Sequence, residues 1–243
     1  MNVSDPASAA PDPMNPKSTA TAVVRKEISQ SQTGLAPPGG DIALEQMLNR
    51  IVDRPALHAR WLNTLAFLEF MGTRKIARSL NGRRAGRVAL QHLAEEARHA
   101  YFFKRSIERI APEADPGFAL SELLAGFSAA RYFHGLDSLV HRDLLDENPA
   151  VAPELCYLYV TTLIEERAGW LYPAYDAVLE ARRLPVRLTG VILEEEQHLA
   201  DMYSAARRLD ARCEERLAAY RVQEARGFAG FFTRLQAVVQ SET

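Results

Sequence analysis

Glutamate and histidine recur at one spacing in two distant parts of the chain. Leu93-Ala94-Glu95-Glu96-Ala97-Arg98-His99 returns about a hundred residues later as Ile192-Leu193-Glu194-Glu195-Glu196-Gln197-His198. Both copies contain Glu-x-x-His, and in both a second Glu stands directly before the motif. On a helix, positions i and i+3 share a face. Glu96 with His99, and Glu195 with His198, can therefore each offer a carboxylate oxygen and an imidazole nitrogen to one metal ion. Apolar residues flank both copies: Val88, Leu93, Phe102 and Phe103 around the first, and Leu188, Val191, Ile192, Leu199 and Met202 around the second. A carboxylate carried into an apolar interior is costly unless something pairs it. A buried cation would explain both copies at once.

Helices must bring further ligands to the same depth, one helix upstream of each copy. Glu69 is the candidate for the first, a charge set among Phe67, Leu68, Phe70 and Met71. The Asn81-Gly82 turn signal follows Glu69 by 13 residues, and Glu96 follows Gly82 by 14. At ~1.5 Å rise per residue the two side chains return to one level. For the second copy the candidates are Glu165 and Glu166. Matching Glu69 and Gly72 to Glu166 and Gly169 favours Glu166, with Glu165 the alternative. This hairpin closes less well: the turn near Leu184 lies 18 residues past Glu166 but 11 before Glu195. A kink at Pro173 or a lopsided turn has to absorb roughly 10 Å. His92, one turn before Glu96, could add a ligand, but Val191 holds the matching place in the second copy. The expected set is Glu69, Glu96, His99, Glu166, Glu195 and His198.

Carboxylates and imidazoles without thiolates suit iron or manganese. The two cysteines, Cys156 and Cys213, form no CxxC pair, which excludes a rubredoxin-like or zinc-ribbon site. A salt-bridged polar core, with Glu96 and Glu195 paired to Arg98 or buried histidines, is the alternative to a metal. His58, His134 and His141 have no matched partners and are expected as ordinary surface or core histidines. Trp170, Tyr101, Tyr159, Tyr172 and Tyr203 are expected as core rather than redox-active residues. Thr162 and Gly169 could leave room beside the upstream Glu for oxygen or substrate.

The rest of the chain reads as helix. Residues 1–40 hold six of the thirteen prolines and no apolar period, which predicts a disordered tail before a helical domain over 41–243. A short helix is expected from Asp41 to Val52, then one from Pro55 to about Ser79, and one from about Arg84 to Ile110. Residues 118–146 form an amphipathic crossover helix. Glu154 to about Arg182 follows, with Pro173 inside it. Pro185 opens the helix of the second copy, which reads on towards Arg226, and a small terminal helix follows Gly227. With 47% hydrophobic and 25% charged residues and a net charge of −2, nothing favours nucleic acid or an anionic membrane. No apolar run is long enough to span a bilayer, so a cytoplasmic location is expected.

The six-residue set resembles the ferritin-like di-iron carboxylate superfamily, over about residues 55–210. That resemblance implies an all-α, ferritin-like four-helix bundle with a helical crossover and extra terminal helices. It implies two iron ions as cofactor, with manganese acceptable in one position. It makes Glu95 and Glu194 carboxylates that receive a histidine N–H from the opposite helix, fixing the ligand tautomer. Its oxygenase and oxidase branch implies an oxidoreductase that activates dioxygen to oxidise or hydroxylate a small organic substrate, fed by an external electron donor. A homodimer is compatible with this. The alternatives are a ferroxidase subunit of an iron-storage assembly, and a helical interaction protein whose metal is structural.

Overall fold

The computed structural model describes residues 40–80, 86–114, 116–147 and 149–242. Residues 1–39, and with them the expected tail, lie outside this description, as does the Asn81-Gly82 turn. Among the described residues there is no strand. The chain is all-α: α1 (Gly40–Val52), α2 (Pro55–Ser79), α3 (Arg87–Ile110), a 3-10 turn (Leu120–Glu122), α4 (Gly126–Glu147), α5 (Ala152–Ala181), α6 (Thr189–Leu209) and α7 (Cys213–Ser241). No described helix is long and apolar enough to cross a membrane.

Two antiparallel hairpins carry the interior. In α2–α3, Lys104 Nζ donates to Asn63 Oδ1 at 2.6 Å near one end, and Gly72 faces Glu96 nearer the other. In α5–α6, Tyr159 Oη donates to Asp210 Oδ2 at 2.7 Å, while the Leu188 N–H reaches Asp176 Oδ1 at the opposite end. Helices α4 and α7 pack on α5 and on each other, so α5 is enclosed on nearly every side.

Three boundaries differ from the sequence reading. The crossover helix starts at Gly126 rather than 118, and Leu120 and Phe127 are exposed. The chain before it is pinned to α2 instead: Thr64 Oγ1 accepts the Leu124 N–H at 2.7 Å, and Asn63 Nδ2 donates to the Gly117 and Glu122 carbonyls. The α6 helix stops at Leu209 rather than running on. Asp210 Oδ1 accepts the Arg212 N–H at 2.8 Å, a side-chain turn that restarts the helix as α7. That helix passes through Gly227 without a break. The end of α5 at Ala181, by contrast, lies about where the sequence puts it: Arg183 takes φ 54° and the Leu184 N–H returns to the Leu179 carbonyl, a left-handed helix stop built without glycine.

The apolar interior forms two clusters with a polar layer between them. On α2, Ala66 belongs to one cluster and Ile76 to the other; on α5, Leu171 and Leu163; on α6, Val191 and Leu199. Glu69, Glu165, Glu195 and His198 fall between these positions, and Glu96 and His99 share the layer from α3. Each fully buried Leu or Ile stabilises the fold by about 1.5–3 kcal/mol. The clusters can therefore hold in place a layer that is costly in itself.

A buried ion pair ties α7 to α5. Arg167 donates through Nε and Nη2 to Glu224 at 2.9 and 2.6 Å, and Tyr132 adds a third bond at 2.6 Å. Both charged side chains are at most 4% exposed. Glu224→Leu alone should cost about 3–5 kcal/mol in urea unfolding, because it strands a buried guanidinium. The double variant Arg167→Met/Glu224→Leu should recover most of that loss. A double variant no better than the single would show that the pair itself, rather than the stranded charge, carries the stability.

Candidate metal centre

Helix geometry aims seven side chains into the polar layer. From α3 come His92, Glu96 and His99, at i, i+4 and i+7 on one face. From α6 come Glu195 and His198, from α2 Glu69, and from α5 Glu165. They fall into two groups, each with ligand atoms mutually within 4.8 Å: Glu69, Glu96, His99 and Glu195, and His92, Glu96, Glu165 and His198. Glu96 belongs to both. Glu195 also reaches both, lying 2.9 Å from His99 Nδ1 and 3.1 Å from His198 Nδ1. Such groups could hold a metal ion.

Five of the six expected ligands are brought together. Glu166, the sixth, is not among them; Glu165, its alternative, stands there instead. One residue along a helix is a rotation of about 100°, and both neighbours are buried because α5 is covered all round. Glu165 turns inward, 3.7 Å from His198 Nδ1 and 3.4 Å from His92 Nε2. Glu166 turns towards α6 and α7. There it is bound by Arg221, at 3.0 Å from Nε and 2.6 Å from Nη2, and by the Tyr203 hydroxyl.

His92 is the residue that sequence reading set aside. Its Nε2 lies 3.1 Å from Glu96, and Nδ1 lies 2.8 Å from the Tyr157 hydroxyl. The signal was present as His-x-x-x-Glu-x-x-His, but the second copy lacks it. Tyr157 had no signal at all. Tyr172, expected only as core, donates to Glu69 Oε1.

Glu194 and Glu95 stand behind two of the histidines. His99 Nε2 lies 2.7 Å from Glu194, and His198 Nε2 lies 2.7 Å from Glu95, each across the α3–α6 gap. Arg98 Nη1 donates to Glu194 at 3.0 Å. Each carboxylate therefore fixes Nε2–H and leaves Nδ1 facing inward. For His92 the orientation is reversed: Tyr157 accepts Nδ1–H and Nε2 faces inward. His58 is buried away from the site against Tyr175, and His134 is exposed.

The electrostatics are those of crowded acids. Burial, then Glu96 and Glu195, holds Glu69 well above the usual carboxylate range. Burial, then Glu195, lifts Glu165 to about 8. Glu195 is pulled well down: burial opposes its charge, but Glu165, His198 and His99 outweigh that. Without a cation, the layer balances only by holding protons. His99 Nδ1 is buried 2.9 Å from a Glu195 oxygen but without hydrogen-bond alignment, so no protein group satisfies that nitrogen. Four carboxylates and three imidazoles offer oxygen and nitrogen donors whose four negative charges match two divalent ions. The donor set fits a dinuclear metal.

Gly72 makes room for this packing. A Cβ there would stand 2.7 Å from Glu96 Oε2, so any side chain would push a ligand aside. The expected Thr162 is buried without facing open space, and Thr161 lines a cavity instead. That cavity, about 60 Å³, is bounded by Glu69, Glu96, Glu165 and Glu195 on one side and mostly by apolar residues, including Leu68, Ile164 and Phe133, on the other. Comparison with known proteins finds no matching family model, no matching curated protein and no matching solved structure.

Proposed function

We propose that this chain is a ferritin-like di-iron oxidoreductase that activates dioxygen to oxidise an organic substrate. The observation that carries the reading is the pair of overlapping ligand groups sharing Glu96, buried beside an apolar cavity. Glu-x-x-His from two helices and one Glu from each of two others is the ligand pattern of ferritin-like bundles, and the α2–α3 and α5–α6 hairpins joined through α4 suit that topology. Manganese would be tolerated in one position.

Two ferrous ions bound there would supply electrons to dioxygen in pairs. The residues do the rest. Glu96 and Glu195 stand where they can be shared between two positions, while Glu69 with His99 and Glu165 with His92 and His198 complete either side. Glu95 and Glu194 hold two imidazoles in one tautomer and raise their basicity. Tyr172 holds Glu69, and burial keeps its phenol protonated by pushing its pKa well above the usual tyrosine range. The apolar wall limits water at the face where substrate would lie.

Protein from iron-replete expression should carry about two irons per chain. After reduction it should consume about one dioxygen per ferrous pair, and turnover should need an external reductant and an organic substrate. Two ferrous ions supply two of the four electrons that dioxygen takes, and the substrate supplies the others. A ferroxidase of a storage assembly would instead keep accepting ferrous ions. Exposure to several hundred equivalents of iron in air, followed by iron assay of the protein peak, separates the two. A large assembly retaining hundreds of irons would replace this reading with storage. One tightly held zinc and no oxygen reactivity would replace it with a structural metal.

A further inference from the structure

Two hollows meet at one wall. The inner one is the 60 Å³ cavity beside the carboxylates. The outer one is a groove of about 480 Å³ on α4 and α7, lined among others by Arg131, Gly135, Arg226 and Gly230. Tyr132 and Phe231 line both, with rings 11° from parallel and centroids 6.1 Å apart. No heavy atom stands within 4 Å of where a Cβ on Gly135 or Gly230 would be, so the groove floor is open.

The two hollows differ in charge. Lys75 and Arg167 border the inner cavity, but each is matched, by Asp137 and by Glu224. Nothing there is left to receive an ionised group, and the remaining wall is largely Leu, Ile, Val and Phe. A cavity of ~150 Å³ is what benzene occupies in an engineered protein core, so this one suits a narrower guest. The outer groove has the opposite character. Its one carboxylate, Glu224, is already held by Arg167 and Tyr132. Arg131 and Arg226 are exposed and make no hydrogen bond or ion pair among the described residues.

We propose that groove and cavity form one site for an anionic amphiphile. Its head lies on Arg131 and Arg226, and its straight alkyl chain enters by parting the stacked Tyr132 and Phe231 rings, which at 6.1 Å leave no gap between them, to end beside the carboxylate cluster. The inference rests on the oxidoreductase reading only for what happens at that inner end. Binding itself requires neither metal nor oxygen.

Calorimetric titration of the full chain with saturated alkyl carboxylates, from hexanoate to dodecanoate below their micelle concentrations, tests it. Affinity should rise about fourfold per methylene and then level off as the cavity fills. Alkyltrimethylammonium ions of equal length should not bind. Arg131→Glu/Arg226→Glu should weaken every chain by about tenfold, leaving the length dependence intact. Ala168→Leu, inside the cavity, should bring the plateau to shorter chains and spare the shortest. Should that variant fail to fold, the surface charge reversal still decides. Decanoyl-coenzyme A binding more tightly than decanoate would identify a carrier-borne chain, and the reverse a free acid. Equal binding of cationic and anionic chains, indifference to the charge reversal, or no binding would overturn the proposal. Binding without substrate-dependent oxygen uptake by the iron-loaded protein would uphold this site and sink the oxidoreductase reading instead.

Discussion

Glu165→Ala is expected to lower metal content from about two ions per chain towards one, whereas Glu166→Ala should leave it unchanged. Glu165 supplies one of the two carboxylates in the group with His92 and His198, and the other, Glu96, is shared with the second position. Removing Glu165 leaves two imidazoles and only carboxylates shared with the other position, too little charge to compete for a divalent ion there. Glu166 contributes to neither group. Its loss instead strands Arg221, whose side chain is a quarter exposed and otherwise hydrogen-bonds the Tyr203 hydroxyl. The cost should be about 2–3 kcal/mol of folding stability, below that of a fully buried pair because solvent reaches the guanidinium. Elemental analysis and urea unfolding on both variants give a crossed result. Metal loss in Glu166→Ala with retention in Glu165→Ala would return the assignment to the one favoured by the internal repeat. Within the same group, His92→Ala should lower affinity strongly, and Tyr157→Phe by about 10–100-fold, because it removes the acceptor that orients the ring.

The exchange of Glu165 for Glu166 shows where the sequence could and could not be read. The doubled Glu-x-x-His is a local pattern, and its helices made Glu96, His99, Glu195 and His198 legible, with Glu95 and Glu194 behind them. Glu69 was legible because a single charge in an apolar run has few reasons to be there. On α5 the same reasoning met two adjacent glutamates on a helix covered on all sides, so burial no longer distinguished them. Repeat symmetry was used in its place, and the two halves are not symmetric. Glu165 lies against His198, whereas Glu195 lies between His198 and His99. The same assumption set His92 aside, since Val191 occupies its counterpart. Helix types were legible from apolar period. The break at Asp210 was not, because it rests on an aspartate turn rather than on glycine or proline.

Loading both metal positions should become at least about a thousandfold tighter per pH unit across the neutral range. Burial lowers the basicity of all three imidazoles, and the surrounding carboxylates outweigh it. Close carboxylates do this: Glu165 and Glu96 bring His92 to about 9, Glu195 and the charge of Glu69 bring His99 to about 10, and Glu165 and Glu195 bring His198 to about 12. In the metal-free chain at pH 7 each therefore carries a proton on its inward nitrogen. A metal can occupy that nitrogen only by displacing the proton, so loading releases three, and each contributes a factor of ten per unit. Glu165, lifted to about 8, and Glu69 add to the release at the lower end. The fold itself should show the opposite trend. Imidazoles with raised folded-state values stabilise the metal-free protein fully below about 6.5, their unfolded value, and that contribution disappears as pH rises through about 9 and beyond. The metal-free protein should accordingly melt at falling temperature from about pH 6.5 upwards, while the loaded protein should not. Chelator competition at several pH values, with proton release measured in weak buffer, reads the slope directly. A slope below one proton would mean the imidazoles are already neutral, and the layer would then be a polar core rather than a site held ready for cations.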